Sequence, residues 1–240
     1  MKYKIVLNIY QGDMDKLPRY VMEYAEQNNI EILSCKEDIR QHKKYFYSMQ
    51  KNRTVPIIIV DDDCEYANCL VEDMYKTHLE NPNVVICGKA QQIMRDRRRQ
   101  VMPYATWRTK TTPNYRSKDV FAVGSGGVLY PPCVCDAVAD NITTDIIRKV
   151  KSDDFLLHMI SSSLGLERMS VDTRRSGDIY VGFLVDREMP CANDEHALYI
   201  INKKHDYKSE YIQYMDKFHS IDDLVECFGS HPTSKNIIVG

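Results

Sequence analysis

The stretch Val55-Pro56-Ile57-Ile58-Ile59-Val60 runs directly into Asp61-Asp62-Asp63. A continuous apolar, β-branched run of this kind suits a strand buried on both faces of a parallel sheet. The three carboxylates then stand at its carboxyl end, where ligands bind in open α/β sheets. Working back toward the N-terminus, Ile30 to Cys35 reads as a second strand, and Lys43 to Gln50 as a short helix between the two. Leu17 to Asn28 carries Leu17, Val21, Met22 and Ala25 at helical spacing, with Pro18 where a first helical turn tolerates it. Lys4 to Tyr10 is a further apolar strand, ended by the turn signal Gln11-Gly12-Asp13 and expected to be central in the sheet. Strands and helices alternating at these intervals imply right-handed crossovers and an α/β architecture.

Downstream, Asn68 to Glu80 reads as a helix, Asn83 to Cys87 as a strand, and Met94 to Ser117 as an irregular, basic insertion. Phe121 to Tyr130 contains Gly124, Gly126 and Gly127 and is followed by Pro131-Pro132. Ile142 to Val150 and Phe155 to Leu164 read as helices flanking Ser152-Asp153-Asp154, and Ile179 to Val185 as a strand. After Pro190 the chain turns polar and aromatic, with helical patches at Glu195 to Asn202 and Ile221 to Phe228.

With 240 residues, the chain has the length of one domain, or of one domain with an appended tail. Its apolar runs fall far short of the ~18 residues that cross a bilayer, and its first strand is too short for a signal peptide. A cytoplasmic protein is therefore expected. The eight cysteines form no disulfide framework or zinc spacing and read as reduced core thiols. A formal net charge of −2 argues against a nucleic-acid partner. Arg95, Arg97, Arg98 and Arg99, with Arg108 and Lys110 close behind, form a local basic run. It is either a solvated loop or a contact with an anionic membrane surface or anionic acceptor.

Three consecutive aspartates repel one another unless something neutralises them. A divalent cation such as Mn²⁺ or Mg²⁺ would do so, because hard cations take carboxylate and diphosphate oxygens as ligands. In an extended segment side chains alternate, so Asp61 and Asp63 would share one side and one ion. An acidic turn after a strand is the plain alternative. Asp153-Asp154 opens a helix, where the helix dipole alone accounts for a carboxylate at Asp153.

At several ordered places the chain resembles a family of bacterial polysaccharide-type glycosyltransferases with the GT-A fold. These are Lys43-Lys44, PIIIVDDDCEY at Pro56 to Tyr66, Pro103-Tyr104 with Trp107, VGSGGVLYPP at Val123 to Pro132, and SDDFL at Ser152 to Leu156. The resemblance spans roughly residues 36 to 165. It implies a Rossmann-like, mixed but mainly parallel sheet flanked by helices, with residues 1–190 as the transferase domain and 191–240 as an extension packed on or near it. Relatives of this kind begin with an additional strand and helix whose strand end helps hold the nucleotide base. This chain is expected to start at the second strand.

The resemblance also implies roles. Asp61 and Asp63 match the acidic motif that binds the metal and the diphosphate and ribose of a nucleotide-sugar donor, with Asp62 beside them on the donor. Asp153 and Asp154 match the acidic pair near the acceptor hydroxyl, and Asp154 is favoured as general base. Lys43 and Lys44 are expected close to the donor phosphates. Gly124, Gly126 and Gly127 would let the backbone approach the donor, although a tight turn needs the same residues. Tyr104 and Trp107 could stack on a saccharide or lipid-linked acceptor, or simply pack in the core. His196 and His205 are candidate third metal ligands or surface histidines. The expected activity is metal-dependent sugar transfer, and the alternative is a silent module on the same scaffold that binds a saccharide or a partner transferase.

Overall fold

The computed structural model describes residues 2–110, 114–171, 181–183 and 211–229. Its first elements alternate as expected: β1 (Val6–Tyr10), α1 (Arg19–Gln27), β2 (Glu31–Cys35), α2 (Phe46–Lys51) and β3 (Ile57–Ile59). Next come β4 (Cys64–Tyr66), α3 (Leu70–Glu80), β5 (Val84–Cys87), β6 (Ala90–Gln92), β7 (Arg108–Lys110), β8 (Arg116–Ser117), β9 (Val120–Ala122) and β10 (Val128–Tyr130). The remaining elements are α4 (Pro132–Asn141), α5 (Thr144–Lys149), α6 (Asp153–Ser163), β11 (Glu167–Ser170), β12 (Val181–Phe183) and a helix at Ile221–Phe228, here α7. The helical patch expected at Glu195 to Asn202 lies outside the described residues.

The principal sheet has the order β3-β10-β5-β11-β8. Strands β3, β5 and β11 run one way, with β10 and β8 against them. Among the described pairings only β1 with β2 and β5 with β11 are parallel, so the architecture is mixed α/β and not mainly parallel. Val128, Leu129 and Tyr130 are all buried, which marks an inner strand, but hydrophobic pattern carries no information about strand direction.

Two further expectations change. β1 is not central: among the described strands it pairs with β2 alone, and all five of its residues are only partly buried. The inner place beside β3 is taken by β10. Among the described strands β3 in turn is at an edge of the principal sheet, with only Ile59 fully buried and with Val55 and Val60 exposed at its ends. An unbroken apolar run therefore stands at a sheet edge. Its two faces still divide by alternation, Ile59 entering one core and Ile58 packing on the other.

The sheet separates those two cores. On one side Val85, Cys87, Val128 and Tyr130 meet α2, α4 and α6. On the other, Val84, Ile86 and Leu129 meet Leu70 and Met74 of α3. Residues 211–229 belong to the larger core, since Tyr211, Met215, Phe218, Leu224 and Phe228 bury their side chains in it.

Arg168 on β11 clamps α6 to the sheet. Its guanidinium, 2% exposed, donates to the His158 carbonyl at 2.9 Å, to Ser161 Oγ at 3.3 Å and to Ser162 Oγ. These acceptors lie in the second half of α6, where a cation is favoured by the helix dipole. Burial, reinforced by the charges of Arg168 and Arg95, holds the His158 pKa well below its ordinary value of 6.5. Below that pH the unfolded chain binds a proton that the folded chain refuses, so stability falls as pH drops. We expect the thermal midpoint to decrease between pH 7.5 and pH 5.5, and to decrease less in a His158→Leu variant. Equal losses in the two proteins would remove His158 as the cause.

Candidate active site

Four chain segments converge at the carboxyl end of β3. The first is the 3-10 turn Arg40–Lys44 ahead of α2, which is braced from β1 by a Ser48 Oγ to Asn8 Oδ1 hydrogen bond of 3.0 Å. The second is Asp61 to Tyr66, the third the glycine turn Gly124–Gly126, and the fourth the first turn of α6. Register brings the second and third together. β10 pairs antiparallel with β3, matching Val128 to Ile59, so the residues just before Val128 lie beside those just after Ile59.

Lys44 joins the first, second and fourth segments. Its ammonium lies 2.6 Å from Asp61 Oδ1 and 2.6 Å from Asp153 Oδ2. Those two oxygens are therefore at most twice 2.6 Å, or 5.2 Å, apart. Side-chain exposures of 22% for Lys44, 25% for Asp61 and 13% for Asp153 put the bridge beneath the surface. Burial by itself would lower the Lys44 pKa, but Asp153, Asp61 and Asp154 outweigh it and raise that pKa well above the usual value. For Asp153 burial would raise the pKa; the charges of Lys44 and His42 override it and keep the carboxyl below its ordinary range.

Asp154 points into the same place. Its Oδ1 accepts the Gly124 backbone N–H at 3.0 Å. A Cβ on Gly124 would lie 2.6 Å from that oxygen and 3.3 Å from Lys44 Nζ, so glycine is what admits both side chains to the turn. Gly126 is required for another reason: its Cβ would meet the Lys89 backbone nitrogen at 2.4 Å. Gly127 adopts φ of 76°, a left-handed conformation that favours glycine. Gly126 and Gly127 thus meet the needs of a tight turn, and Gly124 makes room for the Asp154 and Lys44 side chains.

Asp62 and Asp63 form a turn and do not continue the strand. That overturns the alternation argument, yet the turn still gathers Asp61 and Asp63. One oxygen from each and the Cys64 sulfur lie within 4.8 Å of one another. Two convergent carboxylates fit a divalent cation. Asp62 is exposed beside them. Tyr66 holds the turn from below: its hydroxyl accepts the Asp61 N–H at 2.9 Å and donates to the Ser125 carbonyl at 3.3 Å. Burial raises the Tyr66 pKa, consistent with a neutral phenol that can donate.

Other expected members lie elsewhere. Lys43 pairs with Asp38 instead of joining Lys44. Trp107 is a core residue, 7% exposed, with its indole N–H donated to the Met102 carbonyl at 2.9 Å. Its ring packs on Phe121 at 5.3 Å and on Tyr104 at 4.9 Å, and this aromatic cluster includes Phe155, the residue after Asp154. Trp107 therefore anchors the first turn of α6 from inside and offers no platform for an acceptor; Tyr104, partly buried, packs on the same cluster. His196 and His205 lie outside the described residues. Arg95 is committed to Asp119 and Asp216, which leaves Arg97, Arg98 and Arg99 exposed on a turn.

Sequence reasoning did not assign Cys64 or Tyr66, although both fall within the quoted acidic stretch. Tyr66 carried a usable signal, an aromatic residue with a polar tip five positions after Asp61. Cys64 carried none beyond adjacency to Asp63. No protein-family model matches the chain, and no curated protein does.

The two glycines make opposite demands. Gly124→Ala meets the ends of flexible side chains, so we expect little loss of stability, with the Asp154 carboxylate displaced. Gly126→Ala meets backbone, and overpacking of this kind costs about 1–3 kcal/mol. Chemical denaturation of both variants checks this order. A Gly124→Ala variant that lost as much as Gly126→Ala would contradict it.

Proposed function

We propose that the chain is a metal-dependent glycosyltransferase of the GT-A type, moving a sugar from a nucleotide-diphosphate donor to an acceptor hydroxyl. The observation that carries this reading is the Lys44 bridge, which brings the acidic motif after β3 and the acidic pair opening α6 together. The order of motifs along the chain supports it as well. So does the glycine turn, whose N–H holds Asp154 beside that bridge.

Asp61 and Asp63 would hold Mn²⁺ or Mg²⁺. Bound there, the cation would neutralise charge developing on the departing nucleoside diphosphate. Asp62, exposed beside them, stands on the donor side. Asp154 is the general base. Its Oδ1 is fixed by the Gly124 N–H, and the carboxylate takes the proton from the acceptor oxygen as that oxygen attacks the anomeric carbon. Asp153 is a poorer base, because it is 9% exposed and its charge is committed to Lys44. Its part is to keep α6 and Lys44 in register.

No described helix is long and apolar enough to cross a membrane. A cytoplasmic site of action with a saccharide or lipid-linked acceptor fits this reading, and Arg97, Arg98 and Arg99 would face an anionic membrane surface. The test is a panel of nucleotide sugars assayed for Mn²⁺-dependent transfer or slow hydrolysis. Asp63→Ala is expected to abolish metal-dependent donor binding. Asp154→Ala should lower turnover by about 10²–10⁴-fold, the usual share of general base catalysis, with donor affinity nearly unchanged. Normal turnover by the Asp154 variant would remove it as the base, and a panel with no donor bound or hydrolysed would overturn the activity.

A further inference from the structure

The Lys44 ammonium and a divalent cation make claims on the same carboxylate. Asp61, one of the two convergent acids after β3, already has its Oδ1 at 2.6 Å from Nζ. A cation held by Asp61 and Asp63 would share the Asp61 carboxylate with that ammonium. It would then face a lysine that Asp153 prevents from swinging freely away, because the second ion pair, also 2.6 Å, holds the same nitrogen. Two positive groups on one carboxylate repel each other across a shielded space. A diphosphate changes the sign of that interaction, since its oxygens can lie against both.

From this we infer that Lys44 is a built-in counter-ion of the acidic motif, which opposes a lone divalent cation at Asp61 and joins that cation in gripping a diphosphate. The inference rests on the proposed donor site and assigns Lys44 as the positioning residue that makes metal binding conditional on the nucleotide. Geometry supplies three reasons why this lysine and not another has the role. Lys43, its neighbour, is turned away to Asp38. Gly124 carries no Cβ where one would crowd Nζ at 3.3 Å. Asp153 pairs with the same nitrogen, so the ammonium is kept beside Asp61 when a cation arrives.

Removing the ammonium should therefore act in opposite directions on two affinities. The full chain and its Lys44→Met, Lys44→Gln and Lys44→Arg variants are titrated with Mn²⁺ alone, following free Mn²⁺ by electron paramagnetic resonance. The same proteins are then titrated with UDP and with GDP at saturating Mn²⁺, by calorimetry. Lys44→Met and Lys44→Gln should bind Mn²⁺ alone at least fivefold more tightly than the wild type, and the better-bound nucleotide at least tenfold more weakly. Lys44→Arg should keep the wild-type pattern. Lys44→Met leaves Asp153 buried without a partner; if it does not fold, as judged by circular dichroism, Lys44→Gln carries the comparison. A merely structural lysine would weaken both affinities together or change neither, and either result overturns the inference while leaving the donor site standing. Failure of the wild type and every variant to bind Mn²⁺ or nucleotide overturns the donor site itself, and the Lys44 assignment with it.

Discussion

A single ammonium group held between two carboxylates organises this molecule. Lys44 draws the turn ahead of α2, the end of β3 and the first turn of α6 to within two ion-pair lengths of one another. These segments are far apart in the chain, and each would otherwise present unbalanced charge. Removing one partner leaves the survivor charged and poorly solvated. The bridge is thus a constraint on folding. Lys44, with a smaller share from His42, keeps the buried Asp153 in its charged form.

The surrounding structure reads as support for that contact. The antiparallel insertion of β10 between β3 and β5 carries the glycine turn to the acidic end of β3. Tyr66 fastens the acidic turn to Ser125, and Gly124 fastens the glycine turn to Asp154. Beneath α6, Phe155 packs on Phe121 and Trp107, while Arg168 ties the helix to β11. Side chains outside the acidic cluster therefore determine where Asp153 and Asp154 stand.

Much of this was legible in the sequence where a property is local. The α3 helix, the fully buried β5 and α7 fall within a residue or two of their expected limits, because periodicity and flanking turn residues fix them. The acids at Asp61, Asp63, Asp153 and Asp154 and the glycines at Gly124, Gly126 and Gly127 were likewise identifiable by type and order. Pairing was not. That β1 lies outside the principal sheet, that β3 is its edge, and that β10 runs antiparallel all depend on partners distant in the chain. The same limit applies to Lys44 and Lys43: neighbouring residues of one type, one bridging two acids and the other turned to Asp38. Trp107 went to the core because its N–H found a carbonyl five residues earlier, which composition does not reveal.

Crystals grown with Mn²⁺ and a nucleoside diphosphate offer the most direct measurement, through the anomalous signal of the metal. The geometry predicts one manganese peak within coordinating distance of both Asp61 and Asp63, diphosphate oxygens between it and Lys44, and Asp154 facing the same place. A peak elsewhere, or an α6 terminus turned away from the metal, would contradict the placement of the two acidic groups on which all of this rests.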